Sequence, residues 1–272
     1  MAQVLRRHVF PTPRSPFSLS NPRYFSIITP RQASPANPAQ HPDRRMRMQA
    51  NIGGTRMATD VGLLPNTFIA ASSPSLFKHP KGLLKFQWTR FKTRFWDTVA
   101  TTAFKWMSPK TGRVRRKVQL KRGSIVPAAE ALYREMYQNF AAGDIGRLRR
   151  MCADGLSESF AQRIASRPRG QKVTWNLVKM NRRPKIMSTK AVMIPGGDGN
   201  VVRQAVVRVS SRQKMTLKDS RGKELPGSSE KDIVEYVVVQ KIYRNWQDTE
   251  WQVWGTTRGT TLKDLEEWEK MD

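Results

Sequence analysis

Cysteine is almost missing from this sequence: Cys152 is the single one in 272 residues. That excludes an intrachain disulfide framework and any cysteine-cluster zinc site. Histidine is nearly as scarce. His8, His41 and His79 all lie in proline-containing N-terminal segments, so the rest of the chain has no imidazole to serve as base or ligand. No apolar run reaches the roughly 18–20 residues of a transmembrane helix, and mean hydropathy is −0.60. Acidic residues are the fourth shortage. Residues 1–122 hold 23 Lys/Arg against three acids, Asp43, Asp60 and Asp97.

The surplus left by that shortage is large. The formal net charge is +28 and the pI about 11.1. Self-repulsion of this size calls for a polyanion, either nucleic acid or an anionic membrane surface. The charge is uneven, because residues 123–272 hold 26 cations and 18 acids, the mixture of an ordinary globular domain. The chain therefore divides into a basic extension and a balanced domain.

Residues 1–45 read as a mitochondrial transit peptide and a disordered segment. Residues 1–42 have no Asp or Glu, and they carry Arg6, Arg7, Arg14, Arg23 and Arg31 among many Ser and Pro. Arg-rich, Ser-rich, acid-poor composition is the mark of such a leader. The stretch Arg23-Tyr24-Phe25-Ser26 resembles a matrix-peptidase cleavage site. Residues 46–75 follow as an extended tail broken by Gly53-Gly54, Pro65 and Pro74, with apolar patches at Val61–Leu64 and Phe68-Ile69.

Residues 76–124 form the third region. Leu84, Trp88, Phe91, Phe95 and Val99 recur at helical spacing, and at about 100° per residue Phe77 and Trp106 share their stripe. Lys81, Lys85 and Lys92 border one side of it, and Arg90, Arg94 and Lys105 the other. Three readings of the stripe stay open: packing on the protein's own core or a partner, lying in a membrane interface with its cations snorkelling to headgroups, or packing on RNA. Next comes 108–124, with Lys110, Arg113, Arg115, Arg116, Lys117, Lys121 and Arg122 and no acid. Seven uncompensated cations fit phosphate contacts, from RNA or from cardiolipin headgroups.

From Ile125 the periodicity marks a domain, 125–260. Leu132, Met136 and Phe140 recur on one helix, with Tyr133 and Tyr137 beside them, and Gly143-Asp144 ends it. Leu148 to Ile164 carry a second helical pattern with a break expected near Gly155. Cys152 lies in its apolar stripe as a structural thiol. Strands are expected at 171–181, 185–194, 200–217, 231–244 and 249–257, with Gly196–Gly199 turning the second into the third. Along 231–244, Val234, Tyr236, Val238 and Ile242 are expected to face the first helix, with Trp251 and Val253 of the next strand. Glu235 and Lys241 take the opposite face. An acidic helix, 261–272, closes the chain. This is α+β: N-terminal helices across one face of a curved antiparallel sheet, preceded by a basic extension.

That order of elements resembles the Tim-forty-four-like domain family. The residues that carry the likeness are Leu132-Tyr133, Arg149–Leu156, Trp175-Asn176-Leu177, Pro184-Lys185-Ile186, Arg203–Val209, Gln213, Glu235–Val238 and Trp251–Gly255. Asp60–Phe68 is similar to the tail of its ribosomal branch. The likeness implies a cone-shaped fold of the nuclear-transport-factor-2-like kind. It further implies a peripheral protein on the matrix side of the mitochondrial inner membrane, bound to the large ribosomal subunit near the tunnel exit. Its partners would be ribosomal RNA, large-subunit proteins, cardiolipin, the membrane insertase and the nascent chain. An import-motor anchor that binds cardiolipin and a chaperone is the alternative. It is disfavoured by a short pre-domain region almost free of acid.

No catalytic residue, cofactor or metal ligand is assigned. Asp144, Glu158, Asp232 and Glu235 could in principle pair with Tyr133, Tyr137 or Tyr236, but no pattern selects a pair. The RNA or anionic-lipid contacts expected are Arg113, Arg115, Arg116, Lys117, Lys121, Arg122, Arg182, Arg183 and Lys185. The membrane-interface candidates are Leu84, Trp88, Phe91 and Phe95 with Lys81, Lys85, Arg90, Lys92 and Arg94.

Overall fold

The computed structural model describes residues 61–71, 80–111, 115–194 and 199–270. The transit segment, its cleavage site, Phe77, Arg113 and most of the Gly196–Gly199 turn lie outside these residues. A long helix, α1 (Pro80–Met107), comes first. It is followed by a two-rung ladder of β1 (Lys110–Thr111) and β2 (Arg115–Arg116). Three helices follow: α2 (Ile125–Ala142), α3 (Ile145–Met151) and α4 (Asp154–Ala165). The sheet holds β3 (Lys172–Met193), β4 (Val201–Lys218), β5 (Ser229–Arg244), β6 (Gln247–Asp248) and β7 (Gln252–Thr257), and α5 (Leu262–Glu269) ends the described chain.

Local chemistry sets the helix ends. Gly143 closes α2 with φ 79°, a left-handed conformation that costs glycine little. Asp144 then caps α3 by accepting the Arg147 N–H at 2.9 Å. The break after α3 falls at Cys152 and Ala153, which are extended, and not at Gly155, which is helical within α4. The reason is tertiary: Ala153 N–H donates to Val253 O at 2.8 Å, so this segment is tied to β7. Thr261 and Asp264 form a reciprocal capping box at the start of α5.

The described strands of the sheet pair antiparallel with one another, in the order β3-β4-β5, with β6 and β7 both on β5, and a parallel bridge joins Cys152 to Val253 of β7. The expected strands 171–181 and 185–194 are one strand. β3 runs through Pro184 and pairs with β4 from Lys172↔Lys218 to Met193↔Val201, with four register shifts on the way. Bulges let so long a strand bend while the ladder continues. Proline is tolerated because β3 is an edge and needs no outward donor there. The sheet is consequently curled.

Both faces of the sheet are covered, where the sequence led us to expect helices on one. On the first face, Ala205, Val207, Val209, Val237, Val239 and Val253 meet Tyr133, Met136, Tyr137 and Phe140 of α2, with Leu148, Cys152 and Phe160 behind them. Burial pushes the Cys152 thiol up to about 12, so it stays protonated and inert. On the second face, Val206 and Val238 lie under Leu63 and Ile69 of the tail. The expected orientation of β5 is thus reversed. Val237 and Val239 face α2 together with Glu235, whereas Tyr236 and Val238 face the tail and Val234 is exposed. The pattern was ambiguous because Val234 and Val237–Val239 supply apolar residues at both parities.

The tail is held by polar contacts at specific points. Gln204 accepts from Leu64 N–H at 3.0 Å and donates to Gly62 O at 2.6 Å. Lys190 donates to Pro65 O and Asn66 O at 2.9 and 2.7 Å. Ile69 and Thr260 exchange two hydrogen bonds, each 2.9 Å. At the far end, Asn245 and Trp246 have φ of 51° and 64° and form the two-residue turn from β5 to β6. Trp246 stacks on Phe104 of α1, 5.8 Å between centroids. Phe104 joins Val118, Val201 and Tyr243 in a small core that anchors the helix there.

Candidate functional site

Helix α1 is anchored near its ends by Phe86 and Phe104 and lies on the second face with the polar side of its middle inward. Phe86, Thr101 and Phe104 are buried, and Thr93 and Asp97 are half-buried between them. Threonine hydroxyls on this helix are satisfied by carbonyls one turn back, as in Thr102 to Thr98 O at 2.8 Å. Asp97 accepts from Ser188 Oγ at 3.3 Å and lies 3.6 Å from Lys190 Nζ. Burial holds the Asp97 carboxyl above its usual range despite Lys190, and burial lowers Lys190 despite Asp97. The polar side can pack because its groups are paired among themselves and with β3.

The apolar side therefore points away. Leu84, Trp88, Phe91 and Phe95 are 74%, 65%, 64% and 55% exposed, and Trp96, Val99 and Trp106 are exposed too. Of the three readings of this stripe, packing on the protein's own core is corrected by the structure. Its borders are partly engaged: Lys85 pairs with Glu269 at 2.7 Å, and Arg90 donates to Gln87 at 3.4 Å. Lys81, Lys92 and Arg94 are exposed. The described part of α1 thus presents bare aromatics with three free-standing cations beside them.

The basic run lies across the β5–β6 turn. Lys117 Nζ donates to Asn245 O at 3.3 Å, and Lys121 is near enough to Asp248 to help hold its carboxyl low. Lys121 and Arg122 are exposed. Arg116 has a structural task that the sequence reading did not give it. It donates to Ser108 O at 2.9 Å and sits 5.3 Å over the Trp106 ring. Arg182, Arg183 and Lys185 are exposed on the edge of β3 at the Pro184 bulge, farther along the sheet from the run. The structure does not gather these two groups into one patch.

The interior holds a polar cluster that sequence reasoning did not assemble. Tyr133 OH donates to Glu235 Oε2 at 2.5 Å, and Tyr137 OH to Oε1 at 2.7 Å. Gln213 donates to the Tyr133 hydroxyl and, at 3.0 Å, to Ser211 Oγ, while Trp175 Nε1 donates to Gln213 Oε1 at 2.8 Å. Burial raises the Glu235 carboxyl, with the tyrosine hydrogen bonds acting against it, and burial beside that carboxylate raises both tyrosines. The signal was available: Glu235 shares the parity of Val237 and Val239. The other acids go elsewhere, Asp232 to Arg212 at 2.9 Å and Asp144 to its cap. An open groove of about 540 Å³, lined by Gln138, Ala141, Trp175, Lys214 and Thr216 among others, does not reach Glu235. Among the described residues no three potential ligands could hold a metal, and no helix is long and apolar enough to cross a membrane.

A family model described as MBA1-like protein matches residues 58–267. The chain belongs to the MBA1-like protein family. The matched span takes in the tail strap, α1, the helical layer and the whole sheet of this MBA1-like fold. One curated relative is the large ribosomal subunit protein mL45 of Caenorhabditis briggsae, 28% identical over 150 residues. That match covers 53% of this chain and 40% of the relative, so the chain spans about two-fifths of its length. Among solved structures, the intermembrane-space region of the chloroplast protein ARC6 matches at a TM-score of 0.31 and 10% identity, over 50% of this chain and 97% of that one. So distant a likeness carries no argument.

Proposed function

We propose that this chain is a non-catalytic mitochondrial protein that binds the large ribosomal subunit near its tunnel exit and holds it at the matrix face of the inner membrane. Membership of the MBA1-like family and similarity to an mL45 protein support the ribosomal half of this reading. One observation carries the membrane half: α1 packs by Phe86, Phe104 and a polar middle and leaves Leu84, Trp88, Phe91 and Phe95 bare. An amphipathic helix with aromatics outward and Lys81, Lys92 and Arg94 beside them suits the headgroup boundary of an anionic bilayer, cardiolipin included. Attachment is then peripheral.

Lys117, Lys121 and Arg122, with Arg113 and Arg115 of the same run, meet ribosomal RNA in this proposal, and Arg182, Arg183 and Lys185 form a second contact. Large-subunit proteins, the insertase and the emerging chain are the neighbours such a position implies. The acid-free leader of residues 1–45 is read as the import signal, and 125–260 as the docking domain. Kinship with Tim-forty-four-like and nuclear-transport-factor-2-like proteins is part of the proposal, supported by helices preceding a curled antiparallel sheet. The test is paired sedimentation and flotation. The purified chain should co-sediment with mitochondrial large subunits in a salt-dependent way, and float with cardiolipin vesicles but not neutral ones. Neither behaviour at low salt would refute the reading.

A further inference from the structure

A charge imbalance stands at the corner where the basic run crosses the β5–β6 turn. Arg203 of β4 is directly opposite Lys241 of β5. Like charges at opposed positions repel, yet both side chains converge on one indole, 5.6 and 5.7 Å from the Trp251 ring. Arg203 is 2% exposed, and its Nε and Nη2 have no hydrogen-bond partner among the described residues. A buried guanidinium is ordinarily paired with an anion. Lys241 pairs with Asp248, 2.5 Å from its Nζ, and the Asp248 side chain is 62% exposed on a two-residue strand. Lys121 adds its field at Asp248. Two cations thus share one loosely held acid, and the buried Arg203 stands beside one of them on the Trp251 ring.

We propose that this corner of Lys121 and Lys241, backed by the buried Arg203 on the Trp251 ring, takes a backbone phosphate of RNA, and that Asp248 occupies the anion's place in the free protein. This rests on the RNA-binding reading above and gives it a defined site. Two facts favour RNA over an acidic protein segment. The surplus exceeds what a single carboxylate neutralises, and the corner continues the Lys117–Arg122 run, so a polyanion lying along that run passes over Asp248. On binding, Lys241 turns from Asp248 to the phosphate, while Arg203, buried behind it against Trp251, adds its charge without direct contact. No covalent step is involved.

The experiment uses the full chain, fluorescently labelled oligouridylate RNA, and anisotropy titrations over a KCl series, with thermal melting as the control for folding. Asp248→Asn, on an exposed position, should tighten binding roughly threefold by freeing Lys241. Lys241→Gln should weaken it by about tenfold and flatten the salt slope by nearly one unit, and Lys241→Arg should restore most of the loss. The proposal is overturned if Asp248→Asn binds no better than the unmodified chain, and equally if the gain appears with polyglutamate and not with RNA. Should Lys241→Gln fail to fold, the Asp248→Asn arm decides alone. A double Lys121→Gln/Arg122→Gln variant separates the two levels. If it weakens binding while Asp248→Asn changes nothing, the corner is wrong and the RNA reading stands. If neither set of changes alters binding, both are wrong.

Discussion

Helices α1 and α2 carry the same kind of pattern and turn it in opposite directions. In α2, Tyr133, Met136, Tyr137 and Phe140 face the sheet and bury against Val207, Val209, Val237 and Val239. In α1, Trp88, Phe91 and Phe95 face away, and threonines with Asp97 face the sheet. An apolar stripe states that a face avoids water. It does not state what covers that face. What decides is the partner surface. Opposite α2 the sheet offers a continuous valine face, while at α1 it offers Ser188 and Lys190, which suit Asp97 and poorly suit tryptophan.

The largest expected effect sharpens this contrast. Met136→Asp places an unpaired carboxylate in a fully buried position, and such a change costs several kcal/mol, on the order of a small domain's whole stability. The variant should give no cooperative melt by circular dichroism. Phe91→Asp, at an equivalent place in the α1 stripe, should melt within a few degrees of the unmodified chain. Equal collapse of both would erase the distinction between the helices.

Next in size is the triple replacement Trp88→Ala, Phe91→Ala and Phe95→Ala. It should abolish flotation with cardiolipin vesicles, by tenfold or more in bound fraction, and leave co-sedimentation with large subunits unchanged. If ribosome binding falls instead, α1 faces the subunit and the membrane reading is lost.

A subtler effect concerns the polar cluster under α2. Glu235 has a folded-state pKa above its unfolded value because burial outweighs the tyrosine hydrogen bonds. Its contribution to stability is therefore present below the unfolded carboxyl pKa and is lost as pH rises through the folded one. Relative to Glu235→Gln, the unmodified chain should gain melting temperature on acidification from pH 7 towards pH 5. A gain in the opposite direction would mean that the tyrosines dominate. The smallest effect is expected at the α1–α5 contact, where Glu269→Gln removes an exposed pair with Lys85 and should cost about 0.5 kcal/mol or less.

Much of the local structure was legible. The α2 stripe, its end at Gly143-Asp144 and the acidic last helix follow from periodicity and caps. The gap expected between strands 231–244 and 249–257 is narrower in the structure, where only Asn245 and Trp246 turn and Gln247–Asp248 pair as β6. The strand faces were not legible, because valine at Val234 and at Val237–Val239 satisfies either register. Nor was the fusion of two strands through Pro184, since proline reads as an end unless the strand is known to be an edge. The corner around Trp251 was hidden because Arg203 and Lys241 are far apart in sequence and meet only when β4 pairs with β5, and Lys121 reaches Asp248 from a third segment.

Composition and spacing alone fixed the surplus of positive charge, its concentration before residue 123, the helix-then-strand order of an α+β fold, and the presence of an aromatic stripe bordered by cations. Those are properties of composition and short-range spacing, which no fold can alter. Only the tertiary structure decided which way the stripe points, which parity of β5 is inside, and which cations stand without a counter-ion. These outcomes depend on what lies across from each side chain, and that neighbour comes from a distant part of the chain.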